Sequence, residues 1–173
     1  MTQIAGVDLG EYHSVTDVFL EACDKYAQKP AFSCMGQTLS FTEMERLTAN
    51  FASYLQNHTD LMVGDRIAIQ LPNVLQFPIA VFGAMRAGMV VVNTNPLYTV
   101  REMEHQFNDS GAKALLILAN MASLAEQVVP KTGIKHVIVT ELADMHPFAK
   151  RLLINTVVKR VKKMVPAYAL PQA

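Results

Sequence analysis

The stretch MVGDRIAIQLPNVLQFPIAVFGAMRAGMVVVNTNPLYT, residues 62–99, decides the fold of this chain. Short apolar runs rich in isoleucine and valine predict strands over 66–71 and 89–92, and the longer apolar segment between them predicts a helix. A helix that joins two buried strands is the repeating unit of a parallel sheet. The stretch therefore predicts an α/β fold of the kind that hosts nucleotide and acyl-group chemistry.

Turn residues separate these three elements. Gly64 and Asp65 form the turn before the first strand, and Gly88 ends the helix because glycine enters the left-handed conformation without strain. Asn95 and Pro96 close the second strand. Doubly wound sheets bind ligands at the carboxyl ends of their strands, so the segment Asn-Thr-Asn-Pro, residues 93–96, could line a site, although a strand-ending turn is the simpler interpretation.

Polar caps predict where the helices begin. A hydroxyl residue followed three residues later by a carboxylate is the capping-box pattern, in which each side chain bonds the other residue's free backbone amide. The pattern occurs at Ser14 and Asp17, at Thr42 and Glu45, and at Thr99 and Glu102. Asn73 and Asn120 are expected to cap two further helices through their side-chain oxygens.

The predicted elements are a helix, a β-hairpin across 31–40, a second helix, and four strands that alternate with three helices. This order predicts a doubly wound, mostly parallel sheet with flanking helices and a small N-terminal β-hairpin. We expect residues 1–146 to form this α/β subdomain. Residues 147–173 are expected to add a basic amphipathic helix, over 148–165, and a truncated tail.

The composition fits one well-buried globular domain, because the 173 residues are 51% hydrophobic. Cys23 and Cys34 give neither a disulfide framework nor a metal-binding spacing, and Cys23 lies on an apolar helix stripe, where we expect a buried free thiol. The N-terminal sequence lacks the basic start and apolar core of a signal peptide, and no stretch is predicted to span a membrane. We therefore expect a cytoplasmic protein.

Charge is segregated toward one end of the chain, although the formal net charge is zero. Residues 147–173 contain six basic side chains and no acidic one. Two interpretations remain open. The helix could lie on the anionic inner face of a membrane through Arg151, Lys159, Lys162 and Lys163, or it could cover the sheet with its basic side in water. No nucleic-acid partner is predicted.

No catalytic, cofactor-binding or metal-binding residue is predicted. The eight glycines never cluster into a loop that could cradle phosphates. The five histidines show no spacing of three or four that would direct two of them at one metal ion. A nucleophile elbow of the form G-x-S-x-G, which would support a hydrolase, does not occur either.

The segments LSFTEM (39–44) and MRAGMVVVNTNPLY (85–98) resemble two core motifs of the adenylate-forming superfamily of acyl-CoA synthetases and luciferases. The continuation over 99–117 and the segment VPAYALP (165–171) are most similar to bacterial long-chain fatty-acid–CoA ligases. The resemblance covers nearly the whole chain and indicates the N-terminal part of such an enzyme. Val100 departs from the family pattern, in which proline is common; proline suits this first helical position but is not required there.

The resemblance implies a two-step reaction for the parent enzyme. ATP and a fatty acid give an acyl-adenylate and pyrophosphate, and coenzyme A then displaces AMP to form the thioester. This chemistry uses Mg²⁺ and cationic groups around the triphosphate. The family motifs for those groups are not found in this sequence, so the matching motifs are interpreted as scaffold, represented by Gly64, Asp65, Gly88, Asn95 and Pro96.

We expect the chain to be an incomplete N-terminal subdomain of the AMP-binding domain, inactive alone and without a cofactor of its own. Its partners would be the missing downstream subdomains, while fatty acid and CoA would be substrates of the parent enzyme. Surfaces meant for those subdomains would expose apolar groups and favour a homodimer or aggregation. Two alternatives remain: a stand-alone module that holds a nucleotide or an acyl group, and a membrane-surface interaction domain.

Overall fold

The computed structural model describes residues 12–170, and its elements follow the predicted order. In chain order they are α1 (Val15–Lys25), β1 (Pro30–Cys34), β2 (Gln37–Ser40), α2 (Phe41–His58), β3 (Arg66–Gln70), α3 (Gln76–Arg86), β4 (Val90–Asn93), α4 (Val100–Ser110), β5 (Ala114–Leu118), α5 (Ala122–Val128), β6 (His136–Thr140) and α6 (Phe148–Thr156).

The central feature is a four-stranded parallel sheet with the strand order β4-β3-β5-β6. Ile67 of β3 lies opposite Val91 of β4 on one side and opposite Ala114 of β5 on the other. β1 and β2 form a separate antiparallel hairpin. The predicted α/β class, the parallel sheet and the small hairpin are confirmed.

Helices bury both faces of this sheet, which explains why its strands are apolar at most positions. Ile67 and Ile69 lie in the layer that contains residues of α2 and α3. Ala68 and Ile117 lie in the opposite layer, which contains residues of α4 and α5. Because the helices are distributed over both faces, the sheet is doubly wound, as predicted.

A third apolar cluster attaches α1 and the hairpin to the rest of the fold. Phe19 and Cys23 of α1 pack in this cluster with Leu39 of β2 and Met44 of α2. The Phe19 ring stacks on the ring of Phe82 in α3, with 4.1 Å between the two centroids. Burial raises the pKa of the Cys23 thiol, and the expected buried free thiol is confirmed.

The N-cap of α2 differs from the predicted one. Ser40 Oγ accepts a hydrogen bond from the backbone N–H of Glu43 at 3.3 Å, and the Glu43 carboxylate accepts from the Ser40 N–H at 2.8 Å. β2 runs directly into α2, so Thr42 already lies within the first turn, where its hydroxyl donates to the Ala27 carbonyl at 3.0 Å. The prediction of a capping box at Thr42 and Glu45 is therefore wrong.

Two other helix-end predictions are confirmed, and a third is confirmed in part. Thr99 and Glu102 form a reciprocal capping box at the start of α4. At the start of α1, Ser14 Oγ accepts a hydrogen bond from the Asp17 N–H at 3.1 Å, but the Asp17 carboxylate accepts from the His13 N–H and not from Ser14, so only half of the predicted box forms. Gly88, just after the last turn of α3, has a φ of +81°, which is the left-handed conformation expected there.

Asn73 and Asn120 do not cap helices, in contrast to the prediction. α3 begins only at Gln76, and no side chain caps it. α5 begins at Ala122 after a tight 3₁₀ turn, and the Asn120 side-chain amide donates instead to the backbone carbonyl of Met164 at 3.0 Å. Asn73 lies three residues before α3, and Asn120 lies within the 3₁₀ turn that precedes α5, so neither occupies an N-cap position.

The C-terminal helix is shorter than predicted. Regular α-helix ends at Thr156, and one turn of π-helix follows over Val157–Val161 instead of a helix that continues to residue 165. No residue of α6 is buried; Ile154 of α6 and Val158 of the π turn are only half-buried. Among residues 12–170, no helix is both long and apolar enough to cross a bilayer.

Candidate functional site

The carboxyl ends of the four parallel strands meet at one edge of the sheet, where doubly wound folds bind their ligands. We call this edge the carboxyl edge. A polar residue lies at or just after the end of each strand: Gln70 at β3, Asn93 at β4, Asn120 after β5 and Thr140 at β6. The carboxyl edge is therefore the candidate functional site of the described residues.

Gln70 joins the end of β3 to the loop that follows β4. Its side chain is fully buried, and Nε2 donates to the backbone carbonyl of Asn95 at 3.2 Å. The Asn95 side chain serves its own loop, because its Oδ1 accepts a hydrogen bond from the Leu97 N–H at 3.0 Å. These bonds hold the turn that contains Asn95 and Pro96 in place and leave the Asn95 side chain engaged within that turn.

Gln76 and Asp144 fill the other end of the carboxyl edge. Gln76 Nε2 donates to the Glu141 carbonyl at 2.8 Å and to the Thr140 hydroxyl oxygen at 3.3 Å. Asp144 Oδ2 accepts from the Thr140 hydroxyl at 2.9 Å and from the Glu141 N–H at 2.7 Å. Because these polar groups bond one another, the network fixes the loop after β6 and presents no free acid or base.

Gly64, Asp65 and Gly88 lie at the opposite, amino edge of the sheet. The Gly64 N–H donates to the Gly88 carbonyl at 2.8 Å. Asp65 Oδ1 pairs with Lys113 Nζ at 2.7 Å, and Oδ2 accepts from the Met62 N–H at 2.9 Å. The Lys113 hydrogen bond, followed by that from Met62, lowers the pKa of the Asp65 carboxyl. The residues assigned to scaffold motifs thus lie at two edges and do not form one site.

Metal-ligating side chains do not gather within residues 12–170, where no group of three or more His, Cys, Asp or Glu residues could hold an ion. At the amino edge, His136 Nε2 is hydrogen-bonded to Asp60 Oδ1, and Lys135 Nζ lies 3.6 Å from Asp60 Oδ2. The bond with His136 is the main reason why the pKa of Asp60 is lowered. These contacts join the loop after α2 to the start of β6.

An open apolar groove of about 450 Å³ lies between the hairpin and α3. Phe32 and Cys34 of β1 face Phe77, Val81 and Phe82 of α3 across it. The lining contains no carboxylate, histidine or cation. The groove can therefore accommodate apolar groups, and the free thiol of Cys34 is the one ionisable side chain in its lining.

The residues assigned to membrane contact lie on the surface at and after α6. Arg151, Lys159, Lys162 and Lys163 are all exposed. Lys159 Nζ lies 3.9 Å from the Glu141 carboxylate, which is a loose surface ion pair. These four residues belong to a basic surface and do not line a buried binding site.

Two buried residues of the carboxyl edge did not emerge from the sequence analysis. Gln70 carries a usable signal, because it is a polar residue that directly follows the buried apolar run Ile67–Ile69 at the end of β3. Gln76 carries none, since the residues that it bonds are 64 and 65 positions further along the chain. Only the fold reveals that these glutamines fix the carboxyl edge.

Comparison with known families identifies the class of protein to which this doubly wound sheet belongs. The family described as AMP-binding enzyme matches residues 19–171. The chain therefore belongs to the AMP-binding enzyme family.

Two of its similar relatives are bacterial long-chain-fatty-acid–CoA ligases. The ligase of Escherichia coli O157:H7 is 50% identical over 162 residues, which are 94% of this chain and 29% of that relative. The ligase of Haemophilus influenzae is 50% identical over 167 residues, which are 96% of this chain and 30% of the relative. The chain thus spans slightly less than a third of the length of these curated relatives.

Solved structures of related enzymes share the fold. A long-chain-fatty-acid-CoA ligase from Archaeoglobus fulgidus superposes with a TM-score of 0.66 at 25% identity, over 72% of this chain and 27% of that protein. A benzoate CoA ligase from Burkholderia xenovorans gives a TM-score of 0.68 at 22% identity, over 80% of this chain and 28% of that protein. The second likeness concerns the fold alone.

Proposed function

We propose that this chain is the N-terminal framework of a long-chain fatty-acid–CoA ligase. The observation that carries the proposal is its 50% identity to two such ligases across 94% and 96% of its length. The whole enzyme would form an acyl-adenylate and pyrophosphate from a fatty acid and ATP. Coenzyme A would then displace AMP and give the acyl-CoA thioester.

The residues of this chain do not fit the groups that ATP and Mg²⁺ require. Its eight separated glycines provide no phosphate loop, and residues 12–170 contain no cluster of three metal-ligating side chains. We therefore assign the binding of ATP, Mg²⁺ and CoA to downstream subdomains of the whole enzyme. The chain alone is proposed to be non-catalytic.

The framework role follows from how firmly the carboxyl edge is held. Gln70 fixes the loop after β4, and Gln76 fixes the loop after β6, both through hydrogen bonds from buried side chains. A rigid edge of this kind can position neighbouring subdomains without supplying reactive groups. We further propose that the whole enzyme is cytoplasmic, as the sequence analysis led us to expect.

A pyrophosphate-release assay tests the proposal. The chain alone, with ATP, Mg²⁺ and palmitate, should remain at background. A chimera that carries this chain in place of the matching segment of the Escherichia coli ligase should turn over, and the same ligase without that segment should not. Turnover by the chain alone would contradict the proposal, as would a folded and soluble chimera without activity.

The apolar groove between the hairpin and α3 favours one second candidate, a stand-alone module that holds an acyl group. Calorimetry with ATP, AMP and palmitate separates the two functions. The framework proposal expects no nucleotide binding by the chain alone. Saturable palmitate binding that Val81→Asp abolishes in the groove would instead support the acyl-binding module.

A further inference from the structure

Helix α3 is apolar on every side. Residues 77–85 carry no polar side chain, and the single charge of the helix, Arg86, lies at its last residue. A helix at the surface of a globular protein has a polar side, whereas a helix that is apolar all round is buried. The helices α1, α2 and α4, in contrast, carry charged side chains along their length. The sequence of α3 therefore predicts a helix that is covered on both sides.

Within residues 12–170, α3 is fully covered on one side only. Ala80 and Ala84 are buried in the layer that α3 shares with α2 and β3. On the other side, Phe77, Val81 and Phe82 are only half-buried and face the hairpin across the groove of about 450 Å³. We call this groove between the hairpin and α3 the α3 groove. It leaves a large apolar surface of α3 in contact with water.

Hydrogen bonds hold the hairpin wall of the α3 groove in place. Cys34 Sγ donates to the Asn73 carbonyl at 3.4 Å, which joins β1 to the loop before α3. At the turn of the hairpin, the Met35 carbonyl accepts a hydrogen bond from Lys150 Nζ of α6 at 2.8 Å. The groove is thus formed by elements that the fold itself fixes. A preformed surface of this kind can receive a partner without first being reorganised.

A second apolar groove, of about 240 Å³, adjoins the first. Phe32 and Phe82 line both grooves, and Val15, Val18 and Phe41 line the second one. Neither lining contains a charged side chain. The centre of a protein–protein interface is likewise rich in aromatic residues and depleted of charged ones. The two grooves on either side of Phe32 therefore fit the side chains of a protein segment.

We propose that the α3 groove receives an apolar segment from the downstream part of the whole enzyme. The matched segments are only 29% and 30% of the two curated ligases, so more than two-thirds of each relative lies outside them. A large apolar surface within a longer chain is stabilised when another part of that chain removes it from water. The inference rests on the proposed function and adds which surface meets the missing subdomains.

Cys34 can report whether the α3 groove is covered, because its partly exposed thiol lies in the lining, whereas Cys23 is only 4% exposed. In the chain alone, N-ethylmaleimide should alkylate Cys34 readily and Cys23 slowly. In the chimera with the Escherichia coli ligase, alkylation of Cys34 should be at least about tenfold slower, as expected when the groove is covered in nine-tenths of the molecules. Mass spectrometry of the tryptic peptides, which carry one of these cysteines each, gives both rates.

A matched pair of variants in the chimera tests the contact itself. Val81→Asp places a charge in the α3 groove and should return the alkylation of Cys34 to the rate of the chain alone, because an apolar segment no longer docks there. Met62→Asp makes the same change at a side chain that is 70% exposed at the amino edge, and it should leave Cys34 protected. Phe32→Asp, on the hairpin wall, repeats the test if Val81→Asp prevents folding.

Equal alkylation of Cys34 in the chain alone and in the chimera would overturn the inference, as would equal alkylation after Val81→Asp and Met62→Asp. An active chimera with an unprotected Cys34 would leave the proposed ligase function standing and remove only this inference. A folded, inactive chimera with a protected Cys34 would do the reverse. Protection that grows with the concentration of the chain alone would assign the groove to a second copy and overturn the inference. Protection that appears in the chimera only when palmitate is added would overturn it in favour of an acyl chain.

Discussion

At the scale of single residues, position 88 favours glycine for two reasons: its backbone is left-handed, and a side chain there would meet Val63. Its φ is +81°, and a Cβ added there would lie 3.0 Å from Val63 Cγ2. We expect Gly88→Ala to lower the free energy of unfolding by about 1–3 kcal/mol, because an L side chain is strained in the left-handed region and also meets Val63. Urea unfolding followed by circular dichroism measures the loss.

Substitutions at two other glycines distinguish backbone strain from the steric contact with Val63. Gly64 has a φ of +87° but open space around the added Cβ, so Gly64→Ala should cost about 1 kcal/mol from backbone strain alone. Gly133 lies outside the left-handed region, and the nearest heavy atom to its added Cβ is 3.9 Å away, so Gly133→Ala should change stability by less than about 0.5 kcal/mol. A larger loss for Gly64→Ala than for Gly88→Ala would refute the contact with Val63.

The Ser40–Glu43 cap makes stability depend on pH. Hydrogen bonds from the Ser40 backbone N–H and hydroxyl lower the pKa of Glu43 from its ordinary value of 4.5. The unfolded chain therefore binds the proton more readily, so the stabilisation is complete above that value and is lost as pH falls through the folded pKa. Glu43→Gln should flatten the acid side of the stability profile.

Unfolding midpoints in urea, measured between neutral and acid pH, test the cap. Glu126→Gln is the matched control, because Glu126 is an exposed carboxylate on α5 away from any helix cap, and its profile should follow that of the native chain. Ser40→Ala should cost about 1 kcal/mol at neutral pH, since it removes the acceptor for the Glu43 N–H. Identical profiles for Glu43→Gln and the native chain would disprove the assignment.

At the scale of elements, Arg86 joins α3 to α2. Its Nη1 donates to the Glu45 carbonyl and to the Thr48 hydroxyl oxygen, each at 2.9 Å, and its Nη2 lies 3.1 Å from the Glu45 carboxylate. We expect Arg86→Met to lower the free energy of unfolding by about 1.5–3 kcal/mol, because the charged donors are lost while the acceptors stay.

Glu45→Ala tests whether the ion pair or the other two bonds dominate. The Glu45 carboxylate is 45% exposed, and its loss leaves both remaining Arg86 bonds in place, so we expect a cost below about 1 kcal/mol. Thermal and urea melts of the two variants give the comparison. If Glu45→Ala and Arg86→Met lowered the free energy of unfolding equally, the ion pair between Arg86 and the Glu45 carboxylate would account for the stabilisation of the α2–α3 contact.

Local signals predicted most of the elements, because they depend on patterns within a few residues. The apolar run of β3 and the Thr99–Glu102 box of α4 both specify their elements locally. The start of α2 was misplaced, since Ser40 and Thr42 are both plausible caps and only the direct junction with β2 decides between them. Asn120 was misassigned because its partner, Met164, is distant in sequence.

At the scale of the whole molecule, β4 is an edge strand that consists of three valines and an asparagine, and Val90 is 48% exposed. Unpaired apolar edges favour pairing between chains. We expect light scattering to detect association of the isolated chain and Val90→Lys to reduce it. Val15→Lys, at a 61% exposed valine on α1, adds the same charge away from the sheet edge and should have little effect. Equal reductions would show that net charge, and not the edge, controls association.

The candidate site was less predictable than the fold, because its contacts join residues that are far apart in the sequence. Gln76 can hold the carboxyl edge only because the fold brings Thr140 and Glu141, which are distant in sequence, within hydrogen-bonding distance of its side chain. The charge segregation at 147–173 was visible in the sequence, but the exposure of Phe148 and Leu152 was not predicted.

The attachment of α6 by a few polar bonds has a dynamic consequence. A helix without a buried side chain contributes little to the cooperative core, so it can open while the parallel sheet stays folded. Its amide protons should exchange with deuterium far sooner than those of β3 and β5. The α6 segment can therefore change its tilt relative to the sheet without disrupting the packing of the strands.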